Sequence, residues 1–144
     1  MEEFSRLSRL VGEEAMKKLA ASRVAIFGIG GVGGYVAEAL ARSGVGKLEL
    51  VDHDTVALSN LNRQIIALHS TVGQSKVDVM ARRIADINPT AEVTARAIFY
   101  LPETASEFDF TKYDYVVDAI DTVAGKIALA EQATTAGVPL ISCM

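Results

Sequence analysis

Short apolar runs alternate with helically spaced apolar positions along most of the chain. Arg23-Val24-Ala25-Ile26-Phe27-Gly28 is a brief apolar run ending on glycine, as a strand buried on both faces would be. Residues 31–43 are rich in alanine, with Val36, Ala37, Leu40 and Ala41 at helical spacing, and Gly44 closes the segment. Lys47-Leu48-Glu49-Leu50-Val51-Asp52 reads as a second strand, and a polar, irregular stretch comes next over residues 53–73. Ser75 stands where it could cap a helix that runs through Asn88 and stops at Pro89. Residues 92–97 alternate weakly, as a strand does, and 113–119 form another strand pattern. Residues 101–112 are ambiguous, with a short helix over 103–108 as one reading. A helix over 123–135 and an apolar strand opening at Gly137 complete the chain, while residues 13–19 carry helical spacing near its start.

Repeated strand–helix alternation predicts an α/β fold with a mainly parallel sheet and helices on both faces, Rossmann-like and doubly wound. At 144 residues the chain is one domain, and with half its residues apolar it can bury a sizeable core. Eighteen acidic against 14 basic residues give a net charge of −4, which excludes an obvious polybasic nucleic-acid or membrane-surface domain. The single cysteine, Cys143, rules out an internal disulfide and a paired-cysteine zinc site. Residues 1–6 lack the charge-then-apolar order of a signal peptide, and no apolar run reaches the roughly 18 residues of a spanning helix. The expectation is a cytoplasmic protein with no membrane partner. Cys143-Met144 come directly after an apolar strand that a parallel sheet would bury, so the chain is expected to be the N-terminal part of a longer protein, with a plain edge strand as the alternative.

Two motifs carry chemistry. Gly28-Ile29-Gly30-Gly31-Val32-Gly33 lies after a strand and before a helix, where glycines permit a tight turn and a close approach to phosphate. The N-terminus of the next helix offers N–H groups and a positive dipole end, and Asp52, ending the second strand, can accept from ribose hydroxyls. These alone say only nucleotide, with NAD as the ordinary guess. The second set is Asp52-His53-Asp54-Thr55-Val56, then Ser59-Asn60-Leu61-Asn62-Arg63-Gln64, Lys76, and Asp118-Ala119-Ile120-Asp121-Thr122. An arginine, a lysine and a carboxylate that all lie past strand ends should converge at the carboxyl edge of the sheet. Arg and Lys neutralise a triphosphate and a carboxylate can hold Mg²⁺, so ATP with Mg²⁺ fits better than NAD. Each residue also has a plain reading: Arg63 or Lys76 as a surface charge, Asp121 as a helix cap.

Taken together these residues resemble the ThiF/MoeB/HesA-type adenylating superfamily, related to ubiquitin-activating enzymes, and the likeness covers essentially the whole chain. The detail is most similar to the tRNA threonylcarbamoyladenosine dehydratase branch. The points of likeness are Asn62-Arg63-Gln64-Ile65-Ile66-Ala67-Leu68, Val72-Gly73-Gln74-Ser75-Lys76, Met80-Ala81-Arg82-Arg83-Ile84 and Val117-Asp118-Ala119-Ile120-Asp121. Sulfur-carrier adenylyltransferases more often have Gln before the Arg-Gln pair and Asp-Asn at 121–122. The resemblance implies a single ATP-binding adenylation domain over residues 1–144, working with ATP and Mg²⁺. Gly28, Gly30, Gly31, Gly33, Asp52 and Asp54 would surround the nucleotide. Asn60 and Arg63 would serve ribose and phosphates, Lys76 the phosphates, and Asp121 the Mg²⁺, with Asn62, Gln64 and Thr122 also among the nucleotide-binding residues. Arg6 would reach across a two-fold homodimer into the neighbour's site, its plain reading being an exposed helix-entry charge. The implied catalytic set is therefore Arg63, Lys76, Asp121 and Arg6.

The implied reaction is attack of a substrate carboxylate on the α-phosphorus of ATP. In the dehydratase branch that carboxylate belongs to threonylcarbamoyladenosine in tRNA, and an internal nucleophile then closes a ring. In the sulfur-carrier branch it is the C-terminal glycine of a ubiquitin-like protein, with a sulfur-transfer partner. An NAD-dependent oxidoreductase and a non-catalytic nucleotide-sensing domain remain alternatives. The histidines, His53 and His69, are read as loop residues, with His53 close enough to Asp52 to graze a nucleotide. Phe4, Phe27, Phe99, Phe108 and Phe110 are read as core or interface residues, and Cys143 as a small buried hydrophobe.

Overall fold

The computed structural model describes residues 2–143. Ten elements succeed one another: α1 (Ser5–Val11), α2 (Glu13–Ala21), β1 (Arg23–Phe27), α3 (Gly33–Arg42), β2 (Lys47–Val51), α4 (Lys76–Ile87), β3 (Glu92–Arg96), β4 (Tyr115–Asp118), α5 (Val123–Ala136) and β5 (Leu140–Ser142). Single 3₁₀ turns interrupt the connections at Leu58–Asn60, Ala105–Glu107 and Phe110–Lys112. The five strands form one parallel sheet in the order β3-β2-β1-β4-β5.

Strand alternation builds the two layers. In β1, Val24 and Ile26 point to one face and join Leu48 and Leu50 of β2 with Ala37 and Ala41 of α3 and Met80 and Ile84 of α4. Ala25 and Phe27 point to the other face, where Ala128 and Leu129 of α5 meet an aromatic group. Phe27 packs edge-on to Tyr100, with ring centroids 4.8 Å apart, and stacks on Phe110 at 5.8 Å. Fully burying a side chain of this size contributes about 1.5–3 kcal/mol, and Ile26, Phe27, Leu48 and Leu50 are all at most 1% exposed. The sheet is therefore covered on both faces, and its exposed positions are those of the edges β3 and β5 and Tyr115 at the start of β4.

The sequence expectation missed one element. Helix α1 has no buried residue, and its Leu10 and Val11 are exposed, so it leaves no core-facing stripe to read. Gly12, at φ +86°, separates it from α2. The ambiguous stretch over 101–112 resolves into two 3₁₀ turns that place Phe108 and Phe110 against Phe27. Ser75 does precede α4, yet its hydroxyl makes no capping bond.

Candidate functional site

Strand order reverses between β1 and β4, and the register sets Phe27 beside both Val51 and Asp118, so three strand ends finish at one level. That arrangement opens a crevice at the carboxyl edge of an α/β sheet, where ligands bind. A cavity of about 560 Å³ lies there, lined by the glycine loop and by residues just past β2, β3 and β4.

The glycines divide their labour. Gly28 has φ +96°, and a Cβ on it would stand 2.5 Å from the Ala119 carbonyl oxygen. A Cβ on Gly33 would stand 1.6 Å from the Gly28 carbonyl oxygen, so α3 can start only where a side chain is absent. Gly30 and Gly31 meet no such wall: their added Cβ atoms would find Gln64 Nε2 at 3.6 Å and Arg63 Cγ at 3.8 Å. The first and last glycines thus fold the loop, and the middle two leave backbone open to the cavity, as a phosphate needs.

Asp52 fastens the loop from the next strand. Its Oδ2 accepts from Ile29 N–H at 2.7 Å and its Oδ1 from Asp54 N–H at 2.8 Å. Lys76, 6% exposed, turns its amine towards the exposed Asp54 carboxylate at 3.9 Å, and Asp54 also lies 3.2 Å from His53 Nε2. Arg63 is held in place by its own neighbours: its guanidinium donates to the Ser59 carbonyl at 3.1 Å and to Asn62 Oδ1 at 2.9 Å. Arg63, Lys76, Asp121 and Thr122 all line the cavity with Gly28, Gly30, Gly31, Asp52 and Asp54.

Other expected residues stand behind that lining. Asn60 is buried and spends its side-chain oxygen on Ala57 N–H at 2.8 Å, which closes the turn leading to Arg63. Asn62 props Arg63, Gln64 lies beneath Gly30, and Gly33 lies inside the loop's own packing. Arg6 is exposed on α1, and none of the helix's residues lines the cavity. At the start of α5 the capping position belongs to Thr122, not to Asp121.

Several lining residues escaped the sequence reading. Ile98, Phe99 and Tyr100 run from the end of β3 into the cavity wall, and Lys126 enters from α5. Phe99 lies outside the core: 39% exposed, it stacks on His53 at the rim, ring centroids 3.8 Å apart. Tyr100 is 3% exposed and its hydroxyl finds no partner, and burial pushes its phenol up to about 12. A signal existed for this wall, since it lies just past a strand end on the same edge as Asp52 and Asp118.

The cavity can take a polyphosphate nucleotide. Backbone N–H groups of the glycine loop, the N-terminus of α3, one arginine and one lysine make an anion-binding wall. For a divalent ion the available donors are carboxylates. Asp52, His53 and Asp54 can bring one ligand atom each within 4.8 Å of one another. Both Asp52 oxygens already accept backbone bonds, so the exposed Asp121 carboxylate on the opposite wall is the better match for Mg²⁺, which binds through few protein oxygens plus phosphate.

Fold and site together define a nucleotide-binding α/β domain with a cationic crevice at its switch point. The chain belongs to the ThiF family, whose model matches residues 4–144. It is 51% identical over 144 residues to the tRNA threonylcarbamoyladenosine dehydratase of Bacillus subtilis, covering all of this chain and 57% of that protein. Among solved structures, the Escherichia coli enzyme of the same name in complex with ATP superposes with a TM-score of 0.95 at 42% identity, over 98% of this chain and 58% of that one. Adenylyltransferase and sulfurtransferase uba4 of Aspergillus niger is 36% identical over 98% of this chain and 30% of its own length. The chain thus spans little more than half the length of the dehydratases it matches.

Proposed function

We propose that the protein activates a carboxylate with ATP, and that this carboxylate is the threonylcarbamoyl group of modified adenosine in tRNA, giving a cyclised, dehydrated product with AMP and pyrophosphate. The observation that carries the reading is the convergence of Arg63, Lys76 and Asp121 on one cavity beside an open glycine loop. A dinucleotide oxidoreductase would leave those three without a shared task. The 51% identity to a dehydratase, against 36% to a sulfur-carrier adenylyltransferase, favours tRNA over a ubiquitin-like protein as the acceptor.

The chemistry comes from the charges. A carboxylate oxygen attacks the α-phosphorus, the bond to the bridging oxygen breaks, and pyrophosphate leaves with the negative charge. The carboxylate is already ionised, so no general base is required. Gly30 and Gly31 present backbone to the phosphates, while Arg63 and Lys76 offset the charge that grows as pyrophosphate departs. Asn62 and the Ser59 carbonyl hold the guanidinium in a fixed position, so little reorganisation is needed at the moment of reaction. Asp121 is the carboxylate for Mg²⁺, which supplies phosphate charge neutralisation when bound. In the second step an internal nucleophile attacks the acyl carbon and AMP leaves. Arg6 belongs to this reading as a residue donated across a two-fold homodimer: it is exposed and remote from its own chain's cavity. With tRNA as substrate, a cytoplasmic location is the matching compartment.

The test is AMP release from ATP with Mg²⁺ in three arms: tRNA carrying threonylcarbamoyladenosine, unmodified tRNA, and a carrier protein ending in Gly-Gly. Release with the modified tRNA alone is expected. Release with the carrier alone would keep the adenylation and transfer the protein to sulfur chemistry, and NAD binding in preference to ATP would end the adenylation reading.

A further inference from the structure

Asp118 closes β4 at the switch point and is only 1% exposed. A carboxylate so placed is tolerated only when its oxygens are bonded and its charge is matched. Both conditions hold. Oδ1 accepts from Lys126 Nζ at 3.1 Å and from Ile120 N–H at 3.3 Å, and Oδ2 accepts from the Ser142 hydroxyl at 2.7 Å. Lys126, on the first turns of α5, also donates to the Cys143 carbonyl at 3.0 Å. Four separate pieces of backbone therefore meet in one ion pair: the end of β4, the 119–122 loop, α5 and the end of β5.

The 119–122 loop is the part that matters for the cavity. Asp121 and Thr122 line it. Ala119 forms the wall against which the glycine loop folds, because its carbonyl oxygen would stand 2.5 Å from a Cβ on Gly28 and its Cβ 3.3 Å from one on Gly33. Any shift of this loop moves both sides of the crevice at once. A buried ion pair is weak evidence for stability, since well-packed apolar residues can serve as well. What it supplies here is directional: three bonded oxygen contacts fix where the loop leaves the strand.

We propose that Lys126, acting through Asp118, is a positioning residue for the nucleotide cavity: it sets the 119–122 loop and, through Ala119, the glycine loop. This rests on the adenylation reading only in supposing that the nucleotide is ATP. The geometric half stands without it. Lys126 stands at the cavity wall with its ammonium engaged by Asp118 and the Cys143 carbonyl.

The experiment compares Lys126→Met, which keeps the stem and removes the charge, with Lys126→Arg and with the double variant Lys126→Met/Asp118→Asn. The first readout is amide hydrogen exchange of the unliganded protein. Exchange over 119–122 and 28–33 should quicken about tenfold or more in Lys126→Met, while the α3–α4 contact around Ala41 and Ile84 stays as in the parent. The second readout is ATP affinity, expected to weaken about tenfold or more, as misplacement of a binding wall does. Lys126→Arg should restore both to within about threefold, and the double variant, free of the stranded carboxylate, should recover most of the loss. Unchanged exchange at 119–122 in Lys126→Met overturns the proposal. So does faster exchange with unaltered ATP affinity, or an arginine variant no better than methionine. A parent protein that binds ATP but releases no AMP with any acceptor counts against the adenylation reading alone. If the parent fails to bind ATP, that reading falls and the exchange result decides the pair.

Discussion

Substituting Gly30 and Gly33 by alanine separates the loop's folding task from its binding task. At Gly33 the new methyl would meet a backbone carbonyl oxygen at 1.6 Å, against the 3.4 Å or more of an ordinary contact. Backbone cannot swing aside as a side chain can, so the start of α3 must move away from the strand–loop turn. Overpacking of this kind costs about 1–3 kcal/mol, and the contact is severe enough to expect the upper part of that range. For a domain of this size the corresponding fall in Tm is about 5–10 °C. At Gly30 the methyl meets only the end of the Gln64 side chain, at an ordinary 3.6 Å, and stability should stay within about 1 kcal/mol in either direction.

Binding reverses the order of interest. Gly30 lines the cavity, and a methyl there holds a phosphate off the backbone N–H groups that would receive it. Charge-assisted hydrogen bonds of that kind are worth about 1.5–3 kcal/mol, so ATP affinity should fall about tenfold to a hundredfold. Urea unfolding and titration calorimetry with ATP measure the two effects side by side. If Gly30→Ala bound ATP within about threefold of the parent, the phosphates would not lie on this loop and the site would need redrawing. If Gly33→Ala melted within about 1 °C of the parent, the interlock of Gly33 with Gly28 would carry no weight.

Arg63→Ala should lower AMP release about a hundredfold or more while leaving the melting temperature within about 2 °C, because the guanidinium faces the cavity and its bonds run to its own turn. Tyr100→Phe removes an unpartnered buried hydroxyl and should be neutral or stabilising at pH 7 in a urea titration. Because the folded phenol ionises near 12 rather than 10, only the unfolded chain gives up the proton as pH rises from 10 to 12, and stability falls over that window. The variant should therefore unfold less readily over that alkaline window, and an unchanged alkaline profile would refute the burial argument. Arg96→Met strands the buried Glu49, whose remaining partner is Tyr113, and should cost about 1–3 kcal/mol by chemical denaturation. Arg6→Ala should reduce AMP release without altering the unfolding midpoint, and light scattering that finds only monomers at working concentration would remove the cross-dimer role.

How far the site was legible depended on whether a residue's role is set by the backbone or by a distant partner. Strand β1 and the glycine spacing could be read because the constraint is local: only glycine fits at positions 28 and 33, whatever else the chain does. Arg63, Lys76 and Asp121 could be read as a group because parallel strands must deliver the residues beyond their carboxyl ends to one edge. Asn60, Asn62 and Gln64 share the same run of sequence as Arg63, yet they do not line the cavity: Asn60 bonds the Ala57 N–H, Asn62 bonds the guanidinium, and Gln64 is buried beside Gly30. Sequence spacing names such a motif without saying which members touch a ligand. For Phe99 hydrophobicity left core and interface both open: the two 3₁₀ turns after it fill the core with Phe108 and Phe110 and leave Phe99 stacked on His53. Asp118 and Lys126 lie eight residues apart, the first ending a strand and the second inside a helix, and either alone reads as an ordinary charge. Only the packing of α5 across the end of β5 turns them into a pair. A cavity wall held by side chains from separate elements is invisible to a motif, and that is where unassigned function in this fold should be sought.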